Sequence, residues 1–180
     1  MPEPSARETP RLLLRQWRDT DYAPFAALNA DPPVRQYFPD ILTTGQSRAQ
    51  ADAYRSLIDK NGWGLWALEV KRTGEFVGFT GLHAPSATLP FSPCVEVGWR
   101  LARDAWGCGY ATEAAREAAI YGFEVLGLEE IVSFTAVGNA RSRAVMERLG
   151  MRFDRNFEHP GLPEGSLLRE HCLYRMGRSV

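Results

Sequence analysis

Over residues 94–101 apolar and polar positions alternate: Val95, Val97, Trp99 and Leu101 share one parity, and Glu96, Gly98 and Arg100 the other. Successive strand side chains point to opposite faces, so the pattern predicts a strand with one apolar and one polar face. The period then changes. Ala111, Ala114, Ala115, Ala118, Ala119 and Gly122 recur at helical spacing and predict a helix over residues 110–126, whose small side chains let it lie close on a sheet. Gly127 ends it. The β-branched run at residues 131–137 predicts a strand parallel to the first and joined to it by a right-handed crossover.

The flanking chain reads in the same terms. Residues 11–17 alternate around Leu12 and Leu14 and predict a first strand after a frayed start at residues 1–9. Asp19, Thr20 and Asp21 offer capping side chains for a helix carrying Tyr22, Phe25, Ala26 and Leu28, and Pro32 and Pro33 break the pattern before a short second helix over residues 34–38. A third helix over residues 46–60, stopped at Gly62, precedes a hairpin of residues 65–71 and 76–83 turned at Gly74. Residues 84–93 form a proline-containing loop. Asn139 and Ser142 begin a further helix that Gly150 stops, and strands at residues 151–156 and 170–176 close the chain around a loop at residues 159–166. No repeat or composition shift divides residues 1–180, so a single domain is expected.

Composition narrows the classes. With 44% apolar and 24% charged residues the chain is that of an ordinary globular protein. A net charge of -1 gives no electrostatic reason to expect a nucleic-acid or membrane partner. No run approaches the roughly 20 apolar residues of a spanning helix, and the polar start has no signal-peptide core, so a cytoplasmic protein is expected. Cys94, Cys108 and Cys172 are odd in number and far apart, and His83, His159 and His171 are equally scattered, so neither a disulfide framework nor a metal site is expected. His171 and Cys172 adjoin, but neighbouring strand residues face opposite ways.

Chemistry enters between the alternating strand and the alanine helix, at Trp106, Gly107, Cys108, Gly109, Tyr110, Ala111 and Thr112. Two glycines that tolerate positive φ, followed by a helix N-terminus with unpaired N–H groups, suit a phosphate or pyrophosphate. Two other readings weaken on inspection. A dinucleotide fold would place a third glycine where Thr112 stands, and a triphosphate loop would need Gly-Lys-Ser/Thr.

The succession of Val95 to Leu101, Trp106 to Ala114, and Asn139 through Ser142 and Met146 to Met151 resembles the acetyl-CoA-binding core of the GNAT N-acetyltransferases. Within that superfamily the branch it resembles is that of the ribosomal-protein N-terminal acetyltransferases; Thr9 to Arg15 and Asp31 to Arg35 fit the same branch, so the likeness spans nearly the whole chain. The resemblance implies an α/β fold (α+β by some schemes) with a mixed, mostly antiparallel sheet, a central parallel pair that splays, and flanking helices. It implies acetyl-CoA as cosubstrate, no metal, and a primary amine as acceptor, either a protein N-terminus or a small molecule. A homodimer is left open.

By the same resemblance the pyrophosphate falls on the N–H groups of Cys108 to Thr112, the pantetheine arm runs along Trp99, Arg100 and Leu101, and Asn139 helps to hold that arm. Trp106 stands where the family pattern has Gln or Arg, which leaves recognition mainly to the backbone. Acyl transfer to an amine needs a base, donors for the oxyanion and a proton for the thiolate. Glu96 is the candidate base, against a plain structural pairing with Arg100 or another cation. The tyrosine that serves many relatives as acid is Met146 here, so Ser142 is the candidate donor, with water as its substitute. Cys108 is rejected as an acyl carrier because its loop position faces the pyrophosphate with backbone. Trp63, Trp66, Trp99 and Trp106 are read as core or cleft wall. The alternative function is a non-catalytic acyl-CoA-binding sensor, and acceptor choice is assigned to residues 31–45, 84–93 and 159–166.

Overall fold

A computed structural model describes residues 6–85 and 88–178 of the chain. Its strands are β1 (Arg7–Glu8), β2 (Leu12–Arg15), β3 (Leu65–Val70), β4 (Glu75–His83), β5 (Glu96–Leu101), β6 (Glu130–Ala136), β7 (Arg152–Glu158) and β8 (Glu170–Gly177). The helices are α1 (Tyr22–Asn29), α2 (Thr44–Asn61), α3 (Tyr110–Glu124) and α4 (Ala140–Arg148). All eight strands join one sheet in the order β1-β2-β3-β4-β5-β6-β8-β7. Every neighbouring pair is antiparallel except β5 and β6, which run parallel through the α3 crossover. The mixed sheet with one parallel pair is the predicted fold.

That parallel pair is short. Glu96 and Val132 are its one register pair, fixed by the Val132 N–H donating to the Val95 carbonyl at 2.9 Å. Beyond it the strands part, and the Ser133 hydroxyl reaches across to the Val97 carbonyl at 2.9 Å. α3 covers β4 and β5 with Ala114, Ala115, Ala118, Ala119 and Gly122, all buried. A Cβ on Gly122 would lie 2.8 Å from Ile131 Cδ1 and 3.0 Å from Leu82 Cδ1, so the helix approaches the sheet too closely for larger residues on that face. On the opposite face Trp17, Phe25, Tyr54, Phe76 and Phe79 pack edge to face between α1, α2 and the sheet.

Local signals account for most boundaries. Thr43 caps α2 by accepting from the Gln46 N–H at 3.2 Å while the Gln46 side chain accepts from the Thr43 N–H at 2.9 Å, and Gly62 ends the helix at φ 79°. Two expectations need correction. Residues 34–38 form a run of turns and no helix: the Val34 and Arg35 N–H groups both close onto the Asp31 carbonyl at 3.1 Å, the Phe38 N–H onto the Arg35 carbonyl at 2.9 Å, and the Arg35 side chain draws the chain round to the Asp40 carbonyl at 2.8 Å. Arg7 and Glu8, expected in a frayed start, instead pair with Leu14 and Leu13 as β1. Residues 1–5 of that start, and residues 86 and 87 of the proline loop, lie outside the described residues.

Gly81 in β4 sits at φ +153°, and a Cβ there would fall 2.0 Å from the Gly64 carbonyl oxygen. Gly81→Ala is expected to cost on the order of 2–3 kcal/mol. For a chain of this length that is a fall in Tm of roughly 5–10 °C. A melting curve within about 2 °C of wild type would show that the hairpin can part there without penalty.

Candidate active site

The parting of β5 from β6 opens a cleft of about 1750 Å³. Its lining includes both Glu96 and the N-terminus of α3, so the predicted base and the predicted anion loop face one space. The three segments assigned to acceptor choice converge on it as well, through Phe38, Leu89 and His159 among others.

The anion end is built by backbone. Gly107 and Gly109 adopt φ 72° and 79°, and Gly109 stands at the N-cap of α3 with no side chain capping the helix. The first-turn N–H groups are therefore left without intrahelical or capping partners, beside the positive end of the helix dipole. The acid in that turn is drawn away: Glu113 accepts from Thr9 Oγ1 at 2.6 Å, from the Arg11 N–H at 3.0 Å and from Arg11 Nε at 2.6 Å. Burial works to raise the Glu113 pKa, but these donors outweigh it and hold the carboxyl below its ordinary value. Arg11 also donates to the Cys108 carbonyl at 2.9 Å and lies 4.8 Å over the Tyr110 ring, which pins the loop. Cys108 is exposed and absent from the cleft lining, while Gly107, Gly109, Tyr110, Ala111 and Thr112 belong to it.

Trp106 replaces the side-chain donor of the family loop, but it does not leave the place without charge. The Arg141 guanidinium of α4 stacks 3.8 Å over its ring, and both residues line the cleft. Periodicity marks Arg141 only as an exposed helical position, so this cation is invisible in sequence. Trp99 and Leu101 also line the cleft, whereas Trp66 is fully buried in the core against Tyr121.

At the mouth of α4, Asn139 caps the helix and is fully engaged. Its Nδ2 donates to Thr135 Oγ1 at 2.9 Å and to Ser142 Oγ at 3.1 Å, and its Oδ1 accepts from the Ser142 N–H at 3.3 Å. The Ser142 oxygen is thereby held as an acceptor, which leaves its O–H directed elsewhere; Ser142 lines the cleft. Met146, at the tyrosine position of the relatives, is buried one turn further on.

Glu96 does not pair with Arg100. It accepts from His83 Nε2 at 2.7 Å, across the register pair that joins β4 and β5, and its side chain is only 12% exposed. Burial pulls the His83 pKa down, but the hydrogen bond and charge of Glu96 prevail and hold it above its ordinary 6.5. His83 is the residue that sequence reading missed: its alternating neighbours mark it as a strand end, and nothing local marks the carboxylate opposite. His159 and His171 also meet at the cleft, ring centroids 4.9 Å apart, and burial lowers both pKa values. Cys172 points the other way, into the core, as strand alternation requires. Among the described residues no cluster of metal-ligating side chains forms.

Arg100 takes a separate place on the same face of β5. Its Nη1 donates to Asn29 Oδ1 at 2.9 Å and Gln50 Oε1 at 3.0 Å, and its guanidinium lies 4.5 Å from the Phe38 ring and 5.1 Å from the Phe79 ring. Burial pushes its pKa down to about 10.

Comparison with known proteins agrees with this geometry. The acetyltransferase (GNAT) domain model matches residues 11–152. The uncharacterized protein YkkB of Bacillus subtilis is 34% identical over 148 residues, 82% of this chain and 85% of that protein. A GNAT-family acetyltransferase of Bacillus anthracis superposes with a TM-score of 0.81 at 23% identity, covering 96% of this chain and 98% of that one. RimL, a ribosomal L7/L12 alpha-N-protein acetyltransferase solved in complex with coenzyme A, shares the fold with a TM-score of 0.75 at 14% identity, over 96% of this chain and 98% of that one. With a family match running from the second strand to the start of β7 and an uncapped helix N-terminus opening on a buried carboxylate, this chain belongs to the GNAT acetyltransferase family.

Proposed function

We propose that the protein transfers the acetyl group of acetyl-CoA directly to a primary amine bound in the same cleft. The observation that carries this reading is the convergence of an uncapped α3 N-terminus and the His83–Glu96 pair on one space opened by the β5–β6 splay. Acetyl-CoA supplies the activated thioester. The N–H groups of residues 108–112 hold its pyrophosphate, Arg141 on Trp106 adds a cation beside them, and the pantetheine arm runs along Trp99, Arg100 and Leu101 of β5, whose odd-numbered backbone groups face the side that β6 leaves open; the Leu101 carbonyl there already accepts from Trp106 Nε1 at 3.0 Å. RimL, a protein of the same fold, was solved in complex with coenzyme A, which supports CoA as the ligand.

An amine must lose a proton as its nitrogen forms the new C–N bond. Glu96 takes that proton, with His83 as the partner that shares it. As the C–S bond breaks, the thiolate needs a proton in return, and Ser142 Oγ, held by Asn139, is positioned to give it. Cys108 has no part in this scheme because it does not reach the cleft, so transfer proceeds within a ternary complex. RimL acts on a protein α-amine by its name, and the breadth of this cleft accommodates either a peptide end or a small amine.

Glu96→Gln is expected to lower kcat by at least about 100-fold with the Kd for acetyl-CoA little changed; calorimetry and a thiol-release assay read the two, and an active Gln variant removes Glu96 as the base. Ser142→Ala is expected to cost roughly tenfold in kcat, since water substitutes in part and a thiolate leaves readily near neutral pH. An unchanged kcat assigns the donor role to water. Below the raised His83 pKa the pair already holds the proton it must accept, and above it the pair is free. Acetylation should therefore rise with pH through a limb lying above 6.5, and His83→Gln should abolish that limb for the same acceptor. Superimposable pH profiles for the two proteins exclude His83 from the proton transfer. Acetyl-CoA binding with no turnover on any peptide or small amine would instead favour the sensor reading.

A further inference from the structure

The cleft holds a largely buried guanidinium, that of Arg100, that no acid among the described residues answers. Buried Arg15, by contrast, forks onto Asp21 at 2.7 and 2.9 Å and holds Glu69 at 2.7 Å, and half-buried Arg7 meets Glu117 at 2.6 Å. The hydrogen bonds of Arg100 go to two neutral amide oxygens, its Nε is sealed from solvent with no partner, and among the described residues no carboxylate lies within ion-pair distance of it. A second guanidinium, Arg35, only 8% exposed, lies 4.2 Å from the same Phe38 ring, donates to the Asp40 backbone carbonyl and has the Asp40 charge near it. A buried cation without a counter-ion is costly to fold and is retained where something else supplies the charge.

Arg100 keeps a partly exposed edge, and that edge lines the cleft. It stands on the same face of β5 as Glu96, four residues along, which sets the two backbones about 13 Å apart. Tyr54 lines the same cleft, and its phenol feels the charges of Arg100, Glu96 and Arg35 together. The walls around the guanidinium are aromatic, from Phe38, Phe79 and Tyr54.

We propose that Arg100 is the anchor of an acceptor subsite for a carboxylate, so that the preferred amine carries an acidic group roughly 10 Å from the reacting nitrogen. An α-amino acid, whose two groups share one carbon, cannot span it. A peptide N-terminus with an acidic side chain two residues on does, at about 3.3–3.6 Å per extended residue, and so does a long ω-amino acid. Both offer the same chemistry: an amine at the His83–Glu96 pair and a carboxylate at Arg100. This rests on the acetyltransferase reading for the identity of the reacting end, and on the unmatched guanidinium alone for the carboxylate.

The test uses the full chain with acetyl-CoA and two matched pairs of amines: Ala-Ala-Glu-amide against Ala-Ala-Gln-amide, and ω-aminooctanoate against its carboxamide. In at least one pair the carboxylate member is expected to be favoured by about tenfold or more in kcat/KM, as a charge-assisted hydrogen bond provides. Whichever pair shows it names the source as peptide or small molecule. In Arg100→Gln the carboxylate-to-carboxamide ratio should fall to about one; a merely structural role would lower both members together and keep the ratio. Equal rates for both pairs in the wild type, or a ratio that survives the substitution, overturn the subsite, and the wild-type ratio decides alone if the variant does not fold. If none of the four amines is acetylated, calorimetry with each of them in the presence of CoA separates the two claims. Carboxylate-selective binding then keeps the subsite while the transferase reading fails, and equal or absent binding within both pairs overturns the subsite.

Discussion

A parallel pair of strands needs a crossover, and here the crossover forces the cleft into being. α3 must pass over the sheet between β5 and β6, and its alanine face lets it lie so close to β4 and β5 that a methyl on Gly122 would strike Leu82 and Ile131. Its N-terminus consequently emerges at the end of β5, where the strand has already parted from β6 after a single register pair. Parting leaves edge groups of β5 without a strand partner, and Ser133 repairs part of the loss by donating to the Val97 carbonyl. The open wedge, the uncapped helix end and the exposed strand edge are thus one structural event.

Charge is distributed around that wedge in an orderly way. At the helix end the protein removes its own anion, since Glu113 is turned back onto Thr9 and Arg11, and a cation approaches instead from α4 through the stacking of Arg141 on Trp106. Where β4 ends and β5 begins, His83 and Glu96 meet at 2.7 Å. Further along the same face Arg100 lies beside Phe38 with no carboxylate in ion-pair reach among the described residues. Elsewhere the fold shows that it can neutralise buried arginine, as Asp21 and Glu69 do for Arg15. Unmatched charge is concentrated where a ligand could complete it.

Much of the frame was legible in the chain because its signals are local. The alternation at residues 94–101, the alanine spacing of α3, Gly62 and Gly127 as stops, and the β-branched run of β6 each report a face or an end within a few residues of themselves. The failures are local signals overruled. The apolar spacing of residues 34–38 suggested a helix that closure onto the Asp31 carbonyl and the Arg35–Asp40 contact turned into successive bends, and the polar start hid β1 because its edge pairing depends on Leu13 and Leu14.

The site divides along the same line. Glycines, a helix start and a glutamate at fixed spacings determined in sequence that a glycine turn and a helix N-terminus follow a strand bearing a carboxylate, since those relations lie within a few residues of one another. Only the tertiary structure decided what surrounds them. His83 meets Glu96 through the register of β4 on β5, Arg141 reaches Trp106 from another helix, His159 and His171 are brought together across a hairpin, and Arg100 finds amides from α1 and α2 in place of an acid. Each of these contacts joins residues far apart in the chain, and only packing sets their distance.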